Sequence, residues 1–213
     1  MAKGLFFAFE GTEGSGKSTQ VLLLAECFVA AGLPVRTTRE PGGAALSEAI
    51  RGLLLSDDFG AMDPRTEALL HTAARAEHVA SLIRPELDAG THVLSDRFSD
   101  STLAYQGGGS GLRLDDLRAL QRFAIGETEP DQRILLLTSV DAGLKRRFAG
   151  VGAINRIDRA QRDFHERVAA TFISLAERDP QCWIVVDGDA APDVVCASLV
   201  NAINTRYPDL GLS

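Results

Sequence analysis

Apolar positions follow two rhythms along the chain. Five short runs, residues 5–9, 35–38, 91–95, 133–138 and 183–186, are rich in apolar or β-branched residues and too brief for helices, so they predict strands. Between them apolar residues recur every three or four positions. Val21, Leu24, Phe28 and Val29 mark a first helix that ends near Gly32, with Pro34 just beyond. Leu46, Ile50, Leu53 and Leu54 mark a second over 44–55. Asp63 and Pro64 read as the cap and first residue of a long helical stretch that resumes over 82–89. A polar helix to Tyr105, a glycine loop over 106–111, and helices over 114–125, 141–149, 160–178 and 194–203 complete the pattern. Strands alternating with helices predict a five-stranded parallel sheet with helices on both faces. Such a sheet places its ligand outside the carboxyl ends of the strands, where Glu10, Arg39 and Asp96 fall.

The stretch Gly11, Thr12, Glu13, Gly14, Ser15, Gly16, Lys17, Ser18 fits the phosphate-loop pattern and sits between a strand and a helix, as the motif requires. Glycines let successive N–H groups converge into a nest at the positive end of the helix, which also takes in Thr19. Lys17 is placed to reach β- and γ-phosphates, and the Ser18 hydroxyl to hold magnesium.

Composition narrows the field. Twenty-two Lys and Arg against twenty-nine Asp and Glu give a formal charge of −7, unlike the basic face of a general nucleic-acid binder. Cys27, Cys182 and Cys196 lack paired spacing, so neither a metal cage nor a disulfide framework follows. The first apolar run is short and broken by Glu10, and no stretch is long enough to span a membrane; a soluble cytoplasmic protein is expected. The length of 213 residues suits one domain with a small insert.

With these motifs in place, the chain resembles thymidylate kinases of the bacterial type. The resemblance is carried by the loop with Glu13, by residues 38–43, by Ala73, Ala74 and Arg75, by Asp96 and Arg97, by residues 101–109 and by the segment around Arg156. It implies ATP and dTMP as substrates, dTDP and ADP as products, magnesium, and a homodimer. It places Arg97 and Arg39 on the dTMP phosphate. Arg75, Ser101, Thr102 and Gln106 come to the nucleoside, Tyr105 against a ribose 2′-hydroxyl, and Glu13 on the sugar 3′-hydroxyl. Asp96 joins Ser18 at the metal. Residues 149–159 resemble a lid, with Arg156 as its catalytic arginine beside Lys17 and Arg97. Where the family commonly stacks phenylalanine on thymine, this chain has His71.

The acceptor phosphate is already largely dianionic near neutrality, its second pKa being about 6, so alignment and charge neutralisation suffice without a general base. Two rivals stay open at this stage: a kinase for another nucleoside monophosphate, and a nucleotide-binding module that has lost chemistry.

Overall fold

The computed structural model describes residues 3–150 and 157–213. Strands β1 (Phe6–Glu10), β2 (Val35–Arg39), β3 (His92–Asp96), β4 (Gln132–Leu137) and β5 (Trp183–Asp187) form one parallel sheet in the order β2-β3-β1-β4-β5. The chain reverses direction across the sheet at β1, which β3 and β4 flank. That switch point opens a crevice at the carboxyl ends of the strands.

The central strands are buried on both sides, so alternate residues serve opposite cores. Phe7, Phe9, Leu94, Ile134 and Leu136 meet α1 (Lys17–Ala30) and α9 (Pro192–Arg206) through Val21, Leu24, Phe28, Val195, Leu199 and Ile203. Phe6, Ala8 and Val93 meet the other layer, where Val79, Ile83 and Leu87 come from one long helical run. That run is α3 (Pro64–His78), a π turn (Val79–Ile83) and α4 (Arg84–Asp88), continuous where the sequence suggested an interruption. Asp63 caps it, its Oδ1 accepting from Arg65 N at 2.9 Å with Pro64 at the first position. Alpha-helices α2 (Ala45–Leu55), α6 (Leu114–Ile125), α7 (Val140–Ala149) and α8 (Arg162–Arg178) complete the layers. Val29, Leu46 and Leu53, apolar positions that marked the first two helices, are exposed.

The expected glycine loop after Tyr105 is not a loop. A short helix α5 (Ser99–Thr102) runs directly into a π turn (Leu103–Gly109) buried against α8. A Cβ on Gly108 would lie 1.9 Å from Thr171 Oγ1, and one on Gly109 would lie 2.5 Å from the Phe164 ring. These glycines exist for close helix approach, not for a flexible turn. No described helix is long and apolar enough to cross a membrane.

Candidate functional site

A cavity of about 1010 Å³ opens at the switch point, between the phosphate loop, α2, α3, the π turn after α5, α7 and the loop after β5. The loop packs directly on α7: a Cβ on Gly14 would lie 1.9 Å from the Gly143 carbonyl oxygen, and Gly14 has φ 68°. Only glycine meets both demands. Lys17 Nζ donates to the carbonyls of Gly11 (3.1 Å) and Thr12 (2.7 Å) and to Ser15 Oγ (3.1 Å). Burial, assisted by Arg97, depresses its pKa to about 8. Ser18 and Thr19 are exposed at the loop's outer edge, and the Ser18 hydroxyl donates to the Asp96 carboxylate. The pair presents hard oxygen donors, the chemistry magnesium selects. Magnesium bound alongside phosphates takes one or two protein carboxylates, and Asp96 supplies one.

Arg97 stands between the two halves of the cavity. Its φ of 77° is the one positive value among described non-glycine residues. Such a conformation costs about 1–3 kcal/mol and persists only where surroundings impose it. Here Arg97 N donates to Phe9 O at 2.9 Å, while Nη1 donates to Gly11 O at 3.0 Å and Nη2 to Glu13 Oε1 at 3.1 Å. Its guanidinium carbon lies 4.9 Å from the Tyr105 ring centroid. The Tyr105 hydroxyl donates to the same Glu13 oxygen at 2.7 Å. Burial acts to raise the Glu13 carboxyl, but His165, Arg97, Lys17 and Tyr105 together hold it down at about 2.

Beneath this layer lies Glu10, fully buried at the end of β1. It accepts from Phe98 N at 2.9 Å and from Ser101 Oγ at 2.5 Å. Burial and then the Asp100 charge push its pKa up to about 8. Glu10 therefore anchors the start of α5, which carries Ser101 and Thr102 into the cavity.

Arg75 is the largest fully buried side chain among the described residues, yet it reaches the cavity wall. Its Nε donates to Glu40 Oε2 at 2.6 Å, Nη1 to Thr102 Oγ1 at 2.9 Å and to Gln121, and Nη2 to Phe98 O at 2.9 Å. The other Glu40 oxygen lies 3.0 Å from His78 Nδ1, and His78 Nε2 lies 2.7 Å from Thr38 Oγ1. Gln106 Nε2 donates to buried Glu67 at 2.6 Å, and His71 lines the cavity one turn before Arg75.

Most residues singled out from the sequence thus converge on one cavity. Arg39 does not line it: its side chain is about half exposed and pairs with Glu48 at 3.1 Å. Arg51, one helical turn from Glu48, takes that wall and donates to Pro41 O at 2.8 Å. Arg156 and most of the expected lid lie outside the described residues. At its stem, Arg147 grips Asp158 with two bonds of 2.9 and 2.8 Å. Arg159 and Arg162 form exposed ion pairs with Asp57 and with Asp141 and Glu166, as expected of a solvated face. Sequence reasoning missed Glu40, His78, Arg51 and His165. Glu40 had a usable signal, because it follows β2 at the edge that drew attention to Glu10 and Asp96.

Comparison with known proteins agrees with this geometry. The sequence profile of the family described as thymidylate kinase matches residues 9–198. A thymidylate kinase of Thermomicrobium roseum is 53% identical over 190 residues, covering 89% of this chain and 90% of that protein. One from Geobacter sulfurreducens is 43% identical over 210 residues, covering 96% and 99%. The crystal structure of thymidylate kinase from Ehrlichia chaffeensis superposes with a TM-score of 0.75 at 30% identity, over 94% of this chain and 99% of that one. With a phosphate loop, an acceptor-side arginine cluster and relatives matched along nearly its whole length, the chain belongs to the thymidylate kinase family.

Proposed function

We propose that the chain is a thymidylate kinase, transferring the γ-phosphoryl group of ATP to dTMP to give dTDP and ADP. The observation that carries this reading is that the phosphate loop and the cluster of Arg97, Arg51 and Arg75 open onto one cavity of about 1010 Å³. Donor and acceptor phosphates can there be aligned end to end, with cations suppressing their repulsion.

The loop from Gly11 to Thr19 takes the polyphosphate of ATP, and Lys17 exchanges its carbonyl partners for phosphate oxygens. Arg146 donates to Gly188 O at 2.7 Å and borders the cavity, so adenine fits between α7 and the loop after β5. On the acceptor side Arg97 and Arg51 hold the dTMP phosphate. Ser101 aligns Arg97, with Oγ at 3.2 Å from Nη1. Arg75, Thr102 and Gln106 meet the base edge, His71 lies over its face, and Tyr105 and Glu13 bound the sugar. Arg156 remains the proposed lid arginine. Ser18 and Asp96 would hold magnesium, which supplies further neutralisation of phosphate charge. No proton acceptor is required, since the acceptor oxygen is already ionised.

All of this fits within one domain, and free thiols at Cys27, Cys182 and Cys196 suit a cytoplasmic location. A homodimer is supported by exposed Leu46, Leu53, Leu69 and Phe123 on the adjoining helices α2, α3 and α6. ADP release measured across dTMP, dUMP, UMP, CMP and AMP tests the reading. Turnover is expected with dTMP first and dUMP second, since one methyl supplies only about 1–3 kcal/mol of discrimination. Preference for a ribonucleotide would overturn it.

A further inference from the structure

Glu13 is the phosphate-loop side chain that reaches into the acceptor half of the cavity. Its Oε1 is shared by Tyr105 and Arg97, at 2.7 and 3.1 Å. Its Oε2 turns the other way, toward α8, where His165 Nδ1 lies 3.6 Å off. That separation is within ion-pair range but longer than a formed hydrogen bond. His165 is 1% exposed. Glu13 Oε2 and both His165 ring nitrogens have no hydrogen-bond partner among the described residues. Leaving a buried polar atom unpaired costs about 1–3 kcal/mol, so a buried imidazole and a buried carboxylate oxygen this close are matched by chemistry, not by chance packing. Phe164 stands edge-on to the His165 ring, centroids 5.5 Å apart, and also contacts Tyr105. The ring is thereby held facing the loop.

We propose that His165 is a positioning residue for the acceptor-side carboxylate: from α8, beyond the lid segment, its Nδ1–H closes on Glu13 Oε2 and fixes the carboxylate plane. With Oε1 held by Tyr105 and Arg97, the His165 contact is the third point that decides which lone pairs face the acceptor. The last step, that those lone pairs meet the sugar 3′-hydroxyl, rests on the functional reading above. The arrangement also ties the phosphate loop to both stems of the lid segment, to α7 through the Gly14–Gly143 contact and to α8 through Glu13 and His165.

The test compares His165→Phe, which keeps the ring volume without a donor, and His165→Asn, whose amide nitrogen can stand in for Nδ1. Each is assayed with dTMP, with 3′-deoxy-dTMP and for ATP, alone and combined with Glu13→Gln. His165→Phe is expected to raise the KM for dTMP by about tenfold, the scale of one lost hydrogen bond to a charged group. The KM for ATP should hold, the preference for a 3′-hydroxyl should fall, His165→Asn should recover part of the loss, and His165→Phe should add nothing on top of Glu13→Gln. Unchanged dTMP kinetics in His165→Phe overturns the proposal. So does an equal loss for ATP and dTMP that adds to the Glu13→Gln effect, which would mark His165 as packing alone. If Glu13→Gln itself leaves the 3′-hydroxyl preference intact, the sugar assignment fails instead. The His165 grip is then decided by melting temperature: non-additive shifts for the two substitutions support it, and additive shifts refute it.

Discussion

Replacing Glu40 with Gln removes one negative charge from a buried wall of the site and changes little else in shape. Arg75 and Glu40 are 2% and 4% exposed at their side chains, and Nε to Oε2 is 2.6 Å. The same carboxylate faces His78 at 3.0 Å. Breaking a buried pair from one side leaves a desolvated guanidinium, and typically costs 3–5 kcal/mol. Gln still offers one acceptor oxygen, so the low end, about 3 kcal/mol, is expected. For a chain of this size each kcal/mol moves the melting temperature by about 2–4 °C, giving a fall of about 6–12 °C. Because Arg75 shares Nη1 between Thr102 and Gln121, its displacement also raises the KM for dTMP while the KM for ATP holds. Thermal unfolding read by circular dichroism, with two-substrate kinetics below the transition, checks both. A melting temperature within about 2 °C of the parent would refute the claim that Glu40 compensates the Arg75 charge, since that shift corresponds to about 1 kcal/mol at most.

Other consequences follow from single positions. The Glu10 carboxyl, pushed up to about 8 first by burial and then by Asp100, binds its proton more tightly folded than unfolded. Its contribution to stability is therefore full below the ordinary carboxylate range and is lost as pH rises to about 8, with a slope of at most about 1.4 kcal/mol per pH unit. Glu10→Gln should flatten urea-unfolding free energies over that window, and an unaltered slope would contradict the assignment. Arg51→Ala should raise the KM for dTMP about tenfold or more, as loss of a charge-assisted phosphate contact would. Arg39→Ala, which removes only a half-exposed pair with Glu48, should change it little; the reverse order in dTMP titrations would restore Arg39 to the site. Gly108→Ala should destabilise by about 1–3 kcal/mol, because the new methyl must displace Thr171 Oγ1 and crowd the Arg167 carbonyl. Denaturant midpoints equal to the parent's would show that α8 can retreat without cost.

Elements whose sequence signal is local were legible. The β1 run of three phenylalanines, the Gly11–Ser18 loop and the Asp63–Pro64 cap each state their structure within a few residues. Glycines 107–109 misled for a physical reason: glycine punctuates loops, but it also lets two helices touch, and only the opposing Thr171 and Phe164 distinguish the cases. The Thr38–His78–Glu40–Arg75 network joins residues far apart in sequence, and a buried glutamate is written with the same letter as a solvated one. Arg51 sits on an amphipathic helix, where a charge reads as solvent-facing. The left-handed conformation of Arg97 leaves no trace in a single sequence, because arginine has no preference for it.

Kinase activity is decided by where the γ-phosphoryl group goes. Protein incubated with γ-labelled ATP, dTMP and magnesium should move label into dTDP with one ADP formed per dTDP, and Lys17→Ala should abolish the transfer. Label appearing only as inorganic phosphate, at a rate indifferent to dTMP, would show that donor and acceptor are never aligned in this cavity.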